Sequence, residues 1–273
     1  MPNSTPKQLG RALLGLLLGL IWLIPFYLML TNSFKTKQEI FTNPLGVPEN
    51  FTTANYPEAF TQLDFLKTLF NSLVITIFSV VFIIIFSAMC AYALERSKTK
   101  ISTIIFMGFV AAMLVPFQSV MIPLVSIFGK AQMLNQVGII FMYLGFGASM
   151  SIFLYHGALK SIPKALDEAA IIDGANRFQV FWKVIFPMLQ PTTVTVAVLN
   201  TMWIWNDYLL PSLVINSPDT QTIPLKMFFF FGQYTKQWHL ALAGLVIAVL
   251  PVIIFYFFMQ KQIIKGVAEG SVK

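Results

Sequence analysis

Two sets of residues in this 273-residue chain have types and spacings that suit a specific task. The first lies in the run SIPKALDEAAIIDGANRFQVFWKVIFP, which spans 161–187 and contains Glu168, Ala169, Ala170, Asp173, Gly174 and Pro187. Its chemistry is that of docking rather than bond making. Pro163 suits the first turn of a helix, Asp167 and Glu168 sit in early turns that the helix dipole partly favours, and Asp173-Gly174 is a stop signal. The predicted helix has two or three turns, too short to stand alone in water, so a neighbour must hold it. Leu166, Ala169, Ala170 and Asp173 share one face, and the alanines let another surface approach closely. After Gly174, Phe178, Phe181, Trp182 and Ile185 recur at helical spacing and form an apolar stripe that can lie at a membrane interface and brace the first helix.

The second set centres on Asp207, with Asn206, Trp203 and, farther off, Gln118 beside Pro116. Asp207 stands inside an otherwise apolar run, where an ionisable side chain marks a functional site by default. Counted from Thr192, however, it lies roughly 22 Å along its helix at about 1.5 Å per residue, near the edge of a hydrocarbon core about 30 Å thick. Trp203, Trp205 and Tyr208 around it also match an interfacial aromatic belt. Lining a solute path and anchoring the helix at the interface both fit. Gln118 and the polar run 132–136 are further candidates for hydrogen bonds to a solute.

Other chemistry is not encoded. Cys90 has no second cysteine to pair with, and neither His156 nor His239 joins carboxylates at metal-ligand spacing. There is no phosphate-binding lysine loop and no serine or cysteine triad. The expectation is no catalytic residue, no metal site and no cofactor bound by this chain. The net charge of +7 is not gathered into a stripe, so nucleic acid is not an expected partner.

The elements that position these residues are set by lipid. The chain is 57% hydrophobic and 11% charged, with a mean hydropathy of +0.75, where soluble domains carry roughly 25% charge. Apolar runs of bilayer length, about 20 residues, predict six helices near 12–30, 69–94, 101–124, 138–155, 192–213 and 240–259. Continuous rather than alternating hydrophobicity favours helices over barrel strands. The first run lacks a small-x-small cleavage site and reads as an uncleaved span. With the N-terminus inside, the cytoplasmic basic set includes Lys7, Arg11, Arg96, Lys160, Lys261, Lys265 and Lys273, and the outer set, which includes Lys35, Lys67 and Lys226, is half as large. Both termini are therefore expected in the cytoplasm. Pro25, Pro116, Pro123 and Pro251 interrupt the spans, while Pro44, Pro48 and Pro218 punctuate outer loops read as turns without a folded domain.

Glu168-Ala169-Ala170, then Gly174, then Val184-Ile185-Phe186-Pro187 resembles the signature loop of binding-protein-dependent ABC importer permeases, Glu-Ala-Ala, Gly and Ile-x-Leu-Pro. Val184 and Phe186 depart from it by apolar exchange. The stretch Trp205-Asn206-Asp207-Tyr208-Leu209-Leu210-Pro211, the stretch Thr222-Ile223-Pro224-Leu225 and the tail from Gln260 through Gly266 and Gly270 to Lys273 look most like the maltose-type carbohydrate permeases. The resemblance implies an all-α, six-span type I ABC importer transmembrane fold with a cytoplasmic coupling helix. It divides the chain into an N-terminal tail, first helix and external loop (1–68), a transmembrane domain with its coupling loop at 156–191 (69–260), and a cytoplasmic tail (261–273). It also implies a bacterial or archaeal inner membrane and a heterodimer with a second homologous permease. Further implied partners are two cytoplasmic ATPase subunits carrying ATP and magnesium, and an extracellular binding protein delivering a sugar or oligosaccharide. A non-sugar solute and an ion-coupled secondary transporter are the alternatives.

Overall fold

The computed structural model describes the backbone of residues 6–232 and 236–271, and the side chains of 10–232, 236–257 and Gln260. The expected contribution of Lys7 and of the tail beyond Gln260 lies outside the described side chains. In chain order the helices are α1 (Pro6–Ser33), α2 (Lys37–Thr42), α3 (Asn55–Gln62), α4 (Phe65–Ser97), α5 (Lys100–Ala112), α6 (Phe117–Lys130) and α7 (Gln136–Leu159). Then follow α8 (Ala165–Ile172), α9 (Arg177–Gln179), α10 (Phe186–Met188), α11 (Gln190–Asn206), α12 (Leu209–Val214), α13 (Ile223–Met227) and α14 (Trp238–Ser271). Among the described residues there is no strand beyond one isolated bridge pair.

Stretches of α1, α4, α7 and α14 are long and apolar enough to cross a bilayer, and α5 with α6 and 177–188 with α11 pass as bent pairs, giving up to six spans. The third span breaks at Pro116, one of the interruptions expected from sequence, whereas the fifth differs from the unbroken run predicted at 192–213. α5 ends at Ala112, Pro116 caps α6, and the two helices meet at 104°. Proline lacks the N–H that would continue the ladder and pushes its predecessor out of the α region. Pro25, Pro123 and Pro251 instead remain inside continuous helices. The fifth span stops at Asn206, because Asp207 is extended (ψ 128°), and the chain resumes as α12.

The chain forms two compact units, residues 1–65 with 226–253, and 66–225 with 254–273. In the second, Ile75, Ile83, Met142, Tyr143, Ile152, Tyr155 and Val196 form a buried core between α4, α7 and α11. A polar seam runs through it: the Asn200 amide donates to Ser151 Oγ at 3.1 Å, and Ser151 Oγ donates to the Gly147 carbonyl at 2.7 Å. A side chain at position 147 would collide with Ile83 and the Asn200 amide, so glycine is what permits α7 to pack there.

In the first unit the segment 34–56 is more than a set of turns. Lys35 is fully buried and its ammonium donates to the Asn43 and Gly46 carbonyls at 2.6 and 2.7 Å. Buried Glu39 accepts the amide N–H groups of Glu49 and Asn50, and the Asn55 amide donates to the Ser33 and Lys35 carbonyls. Polar tertiary contacts, together with Phe34 stacked on Phe51 and packed on Tyr56, fold this loop, and hydrophobic patterning does not register the polar part.

Candidate functional site

The short helix expected before Gly174 forms close to where the sequence puts it. α8 is eight residues long, preceded by Pro163 and followed by Asp173 and Gly174. Gly174 has φ +88°, a conformation that costs any residue with a Cβ about 1–2 kcal/mol. Its N–H bonds the Ile171 carbonyl at 3.0 Å, and the Ala175 N–H bonds the Ala170 carbonyl at 3.0 Å. That is the paired closure of a Schellman stop, which satisfies carbonyls the helix would otherwise leave open. One residue later Asn176 starts the next helix with a capping box, exchanging 2.9 Å bonds with Gln179.

What holds so short a helix is an ion pair. Asp167 is buried, and its carboxylate pairs with the Arg96 guanidinium at 3.0 Å while accepting the Tyr92 hydroxyl at 2.6 Å. Arg96 also donates to the Ile162 carbonyl at 3.2 Å, tying the approach to α8 onto the end of α4. Phe181 packs on the Tyr92 ring at 5.3 Å, so the segment after Gly174 braces the same anchor. That segment is wound as a π-helix over Val180–Ile185, which buries Val180, Phe181 and Ile185 and leaves Phe178 exposed. A π turn carries one residue more than an α turn, and it sits just upstream of Pro187, whose missing N–H breaks the regular ladder. Beside this anchor Glu95 pairs with His156 at 3.1 Å, under the stacked ring of Phe106.

The opposite face of α8 is open. Glu168 and Ala169 are exposed, and Ile171 and Ile172 expose 52% and 85% of their surface, whereas Ala170 is half-buried against the protein's own core. Glu168 makes no ion pair among the described residues. Asp173, Gly174 and Pro187 are exposed along the same loop. The open side of the helix and its stop thus carry two carboxylates, Glu168 and Asp173, with no ion pair among the described residues, beside exposed Ala169, Ile171 and Ile172. Sequence reasoning missed Arg96 and Tyr92 as the anchor; the signal available was an acidic residue, Asp167, beside Glu168 with no stated partner.

The second set is only partly assembled. Asp207 Oδ2 accepts the Tyr143 hydroxyl at 2.9 Å and Oδ1 accepts the Leu209 N–H at 2.9 Å, so the carboxylate joins α7 to the α11–α12 break. Trp203 packs edge-on against Tyr143 at 5.4 Å and lines a recess of ≈ 550 Å³ with Phe117, Phe128, Met142, Phe146 and Ser149. Asn206 is exposed and its amide donates to the Met202 carbonyl of its own helix. Gln118 is exposed and does not line the recess. Tyr143, the residue that links Asp207 to Trp203, was not singled out from sequence.

Removing Asp207 tests what this carboxylate does. Asp207→Ala leaves the buried Tyr143 hydroxyl without an acceptor, which costs about 1–3 kcal/mol, and lowers the thermal transition of the purified protein. Asp207→Asn keeps one oxygen and loses less. An unchanged transition in Asp207→Ala would remove the anchoring role.

Residues 82–269 match the model of the family described as binding-protein-dependent transport system inner membrane component. The chain is 57% identical over 260 residues, 95% of each sequence, to a probable starch degradation products transport system permease protein of Thermoanaerobacterium thermosulfurigenes. It is 35% identical, over 93% of each, to a multiple sugar-binding transport system permease protein of Streptococcus mutans. Its fold is similar to a chain of a bacterial ABC transporter involved in import of the acidic polysaccharide alginate, with TM-score 0.80 and 22% identity over 96% of this chain and 99% of that one.

Proposed function

The chain belongs to the family of binding-protein-dependent transport system inner membrane components, and from that premise we propose that it is the permease subunit of an ABC importer for a sugar or oligosaccharide. The observation that carries the mechanism is the open face of α8, held from behind by the Asp167–Arg96 pair. α8 is the coupling helix. Glu168 meets a basic residue on a cytoplasmic ATPase subunit, Ala169 and Ala170 admit that subunit's surface, and Gly174 turns the chain back toward the membrane. Two ATPase subunits hold the ATP and magnesium and hydrolyse the nucleotide, while this chain makes no bond. A second homologous permease completes the path as a heterodimer, and an extracellular binding protein delivers the solute.

In this reading both termini are cytoplasmic, 1–68 supplies the tail, first helix and external loop, 69–260 forms the transmembrane domain, and 261–273 is a cytoplasmic tail. The names of the relatives favour a carbohydrate. Trp203, on the wall of a recess, offers a face for a sugar ring, and exposed Asn206 and Gln118 offer amides. Asp207, already occupied by Tyr143 and Leu209, positions this region.

The test is purification through this subunit, with and without Glu168→Ala, followed by maltooligosaccharide uptake into vesicles loaded with ATP. An ATPase is expected to co-purify with the wild-type chain. Truncating one partner of a buried interfacial charge pair costs about 2–5 kcal/mol, so the variant is expected to lose roughly tenfold or more of ATP-driven uptake. Uptake on an ion gradient with no associated ATPase would replace the importer by a secondary transporter.

A further inference from the structure

α6 is built the wrong way round for a helix in lipid. α4 shows the ordinary arrangement, with Asn71, Thr76, Ser79 and Ser87 buried and Phe70, Ile77 and Phe86 exposed. On α6 it is Phe117, Val120, Leu124 and Phe128, at spacings of three and four, that turn inward to line the recess beside α7. Gln118, Ser119 and Ser126 are exposed on the other side, and Lys130 ends that side. Ser119 and Ser126 stand two turns apart and so lie one above the other. Pro123, between them, has no N–H to give the Ser119 carbonyl.

The break ahead of α6 shows the same polarity. Met113, Leu114 and Val115 are exposed, and their carbonyls receive no hydrogen bond among the described residues. Pro116 supplies no side-chain cap to the N–H groups that open α6. α5 has 13 residues, which places the break roughly 20 Å along its span at about 1.5 Å per residue, within a hydrocarbon core about 30 Å thick. At that depth non-helical backbone persists only where protein buries it or water lines it, and this chain leaves it open. A close-packed protein surface would have to match three carbonyls, an amide and two hydroxyls one by one. Water and sugar hydroxyls both donate and accept, so they meet all of these groups. Neither the break nor α6 contains a carboxylate, and Lys130 is the one cation, at the far end. Such a surface suits a neutral solute.

We infer that the exposed face of α6 is wetted inside the membrane. There Gln118, Ser119 and Ser126, with the carbonyls of 113–115, form a hydrogen-bonding strip for the hydroxyls of a passing sugar. The inference rests on the reading of the chain as a sugar importer's permease and assigns the strip to one helix of it.

Single cysteines in the assembled transporter, held in lipid nanodiscs with Cys90 and any partner cysteines replaced, test it with a charged methanethiosulfonate, which reacts with the thiolate in water. Ile104→Cys, on the exposed apolar side of α5, supplies the lipid reference, and Ser217→Cys, exposed in the loop after α12, supplies the water reference. Ser119→Cys and Ser126→Cys are expected to react at rates near that of Ser217→Cys. Saturating maltotriose, added with the binding protein and ATP, is expected to slow both by about threefold or more, because an occupied strip does not react. Thiols as silent as Ile104→Cys overturn the inference, and a disulfide formed between such a thiol and one placed on the second permease would assign the face to that subunit. Reactive thiols that maltotriose does not protect, in a complex that transports maltotriose, overturn the sugar strip. A complex that takes up no maltotriose with ATP, while both thiols still react, supports the wetted face and brings down the sugar reading instead.

Discussion

Asp167→Ala is expected to abolish coupled transport while leaving the chain inserted in the membrane. Asp167 and Arg96 expose only 8% and 13% of their side chains, and removing one partner of a buried ion pair costs about 3–5 kcal/mol because the other charge is stranded. The loss falls on one place. α8 has eight residues, too few to persist without tertiary support, and its support is the Asp167 contact with Arg96 and Tyr92. A cost of that size corresponds to roughly a hundredfold or more in the population of the docked helix. The measurement is sugar uptake alongside ATP hydrolysis in the reconstituted complex. Uptake should fall with hydrolysis either lost or no longer stimulated by the binding protein. Asp167→Ala with wild-type uptake would show that α8 does not depend on this pair. Arg96→Met should reproduce the defect, and the double variant Asp167→Leu with Arg96→Met, which strands no charge, should recover part of it.

Gly174→Val has the second-largest expected effect, and it acts through the backbone. The Schellman closure needs φ near +88° at this position, and a β-branched residue there meets its own carbonyl, a strain of about 1–3 kcal/mol. A Cβ at position 174 meets no atom of this chain within 4 Å, so within the chain the substitution acts through the backbone conformation. Uptake is expected to fall about tenfold or more by this strain, and Gly174→Asn, which tolerates positive φ, should retain most of it. Equal activity of the valine and asparagine variants would show that the turn is not held in this conformation during transport.

How much of this was legible depended on the reach of each signal. α8 could be placed because its start and stop are written within a dozen residues, in Pro163 and in Asp173-Gly174. Its anchor could not, since Arg96 and Asp167 are 71 positions apart and pair only once α4 and the loop are folded together. The same distance problem hid Tyr143 from Asp207, 64 positions away, although the isolated carboxylate itself was conspicuous. Pro116 was visible as an interruption, but four interrupting prolines look alike in sequence. Only Pro116 became a helix start across a sharp bend, whereas Pro25, Pro123 and Pro251 were absorbed into continuous helices. Lys35 was the least readable, because a lysine next to a span is normally placed by its charge, and here its role is to satisfy carbonyls that hydrophobic patterning does not register. The π turn was hidden for a related reason: Phe181 and Ile185 kept a helical spacing that hid the extra residue.

The junction between α8 and α9 has a kinematic consequence. Between Ile172 and Arg177 lie Asp173, Gly174, Ala175 and Asn176, and the Schellman bonds fix the first two while the capping box fixes the last. Each residue has two soft torsions, so the compliance of the linkage is concentrated at Ala175. A displacement imposed on α8 enters the next helix as rotation about a single pivot, with little slack to absorb it.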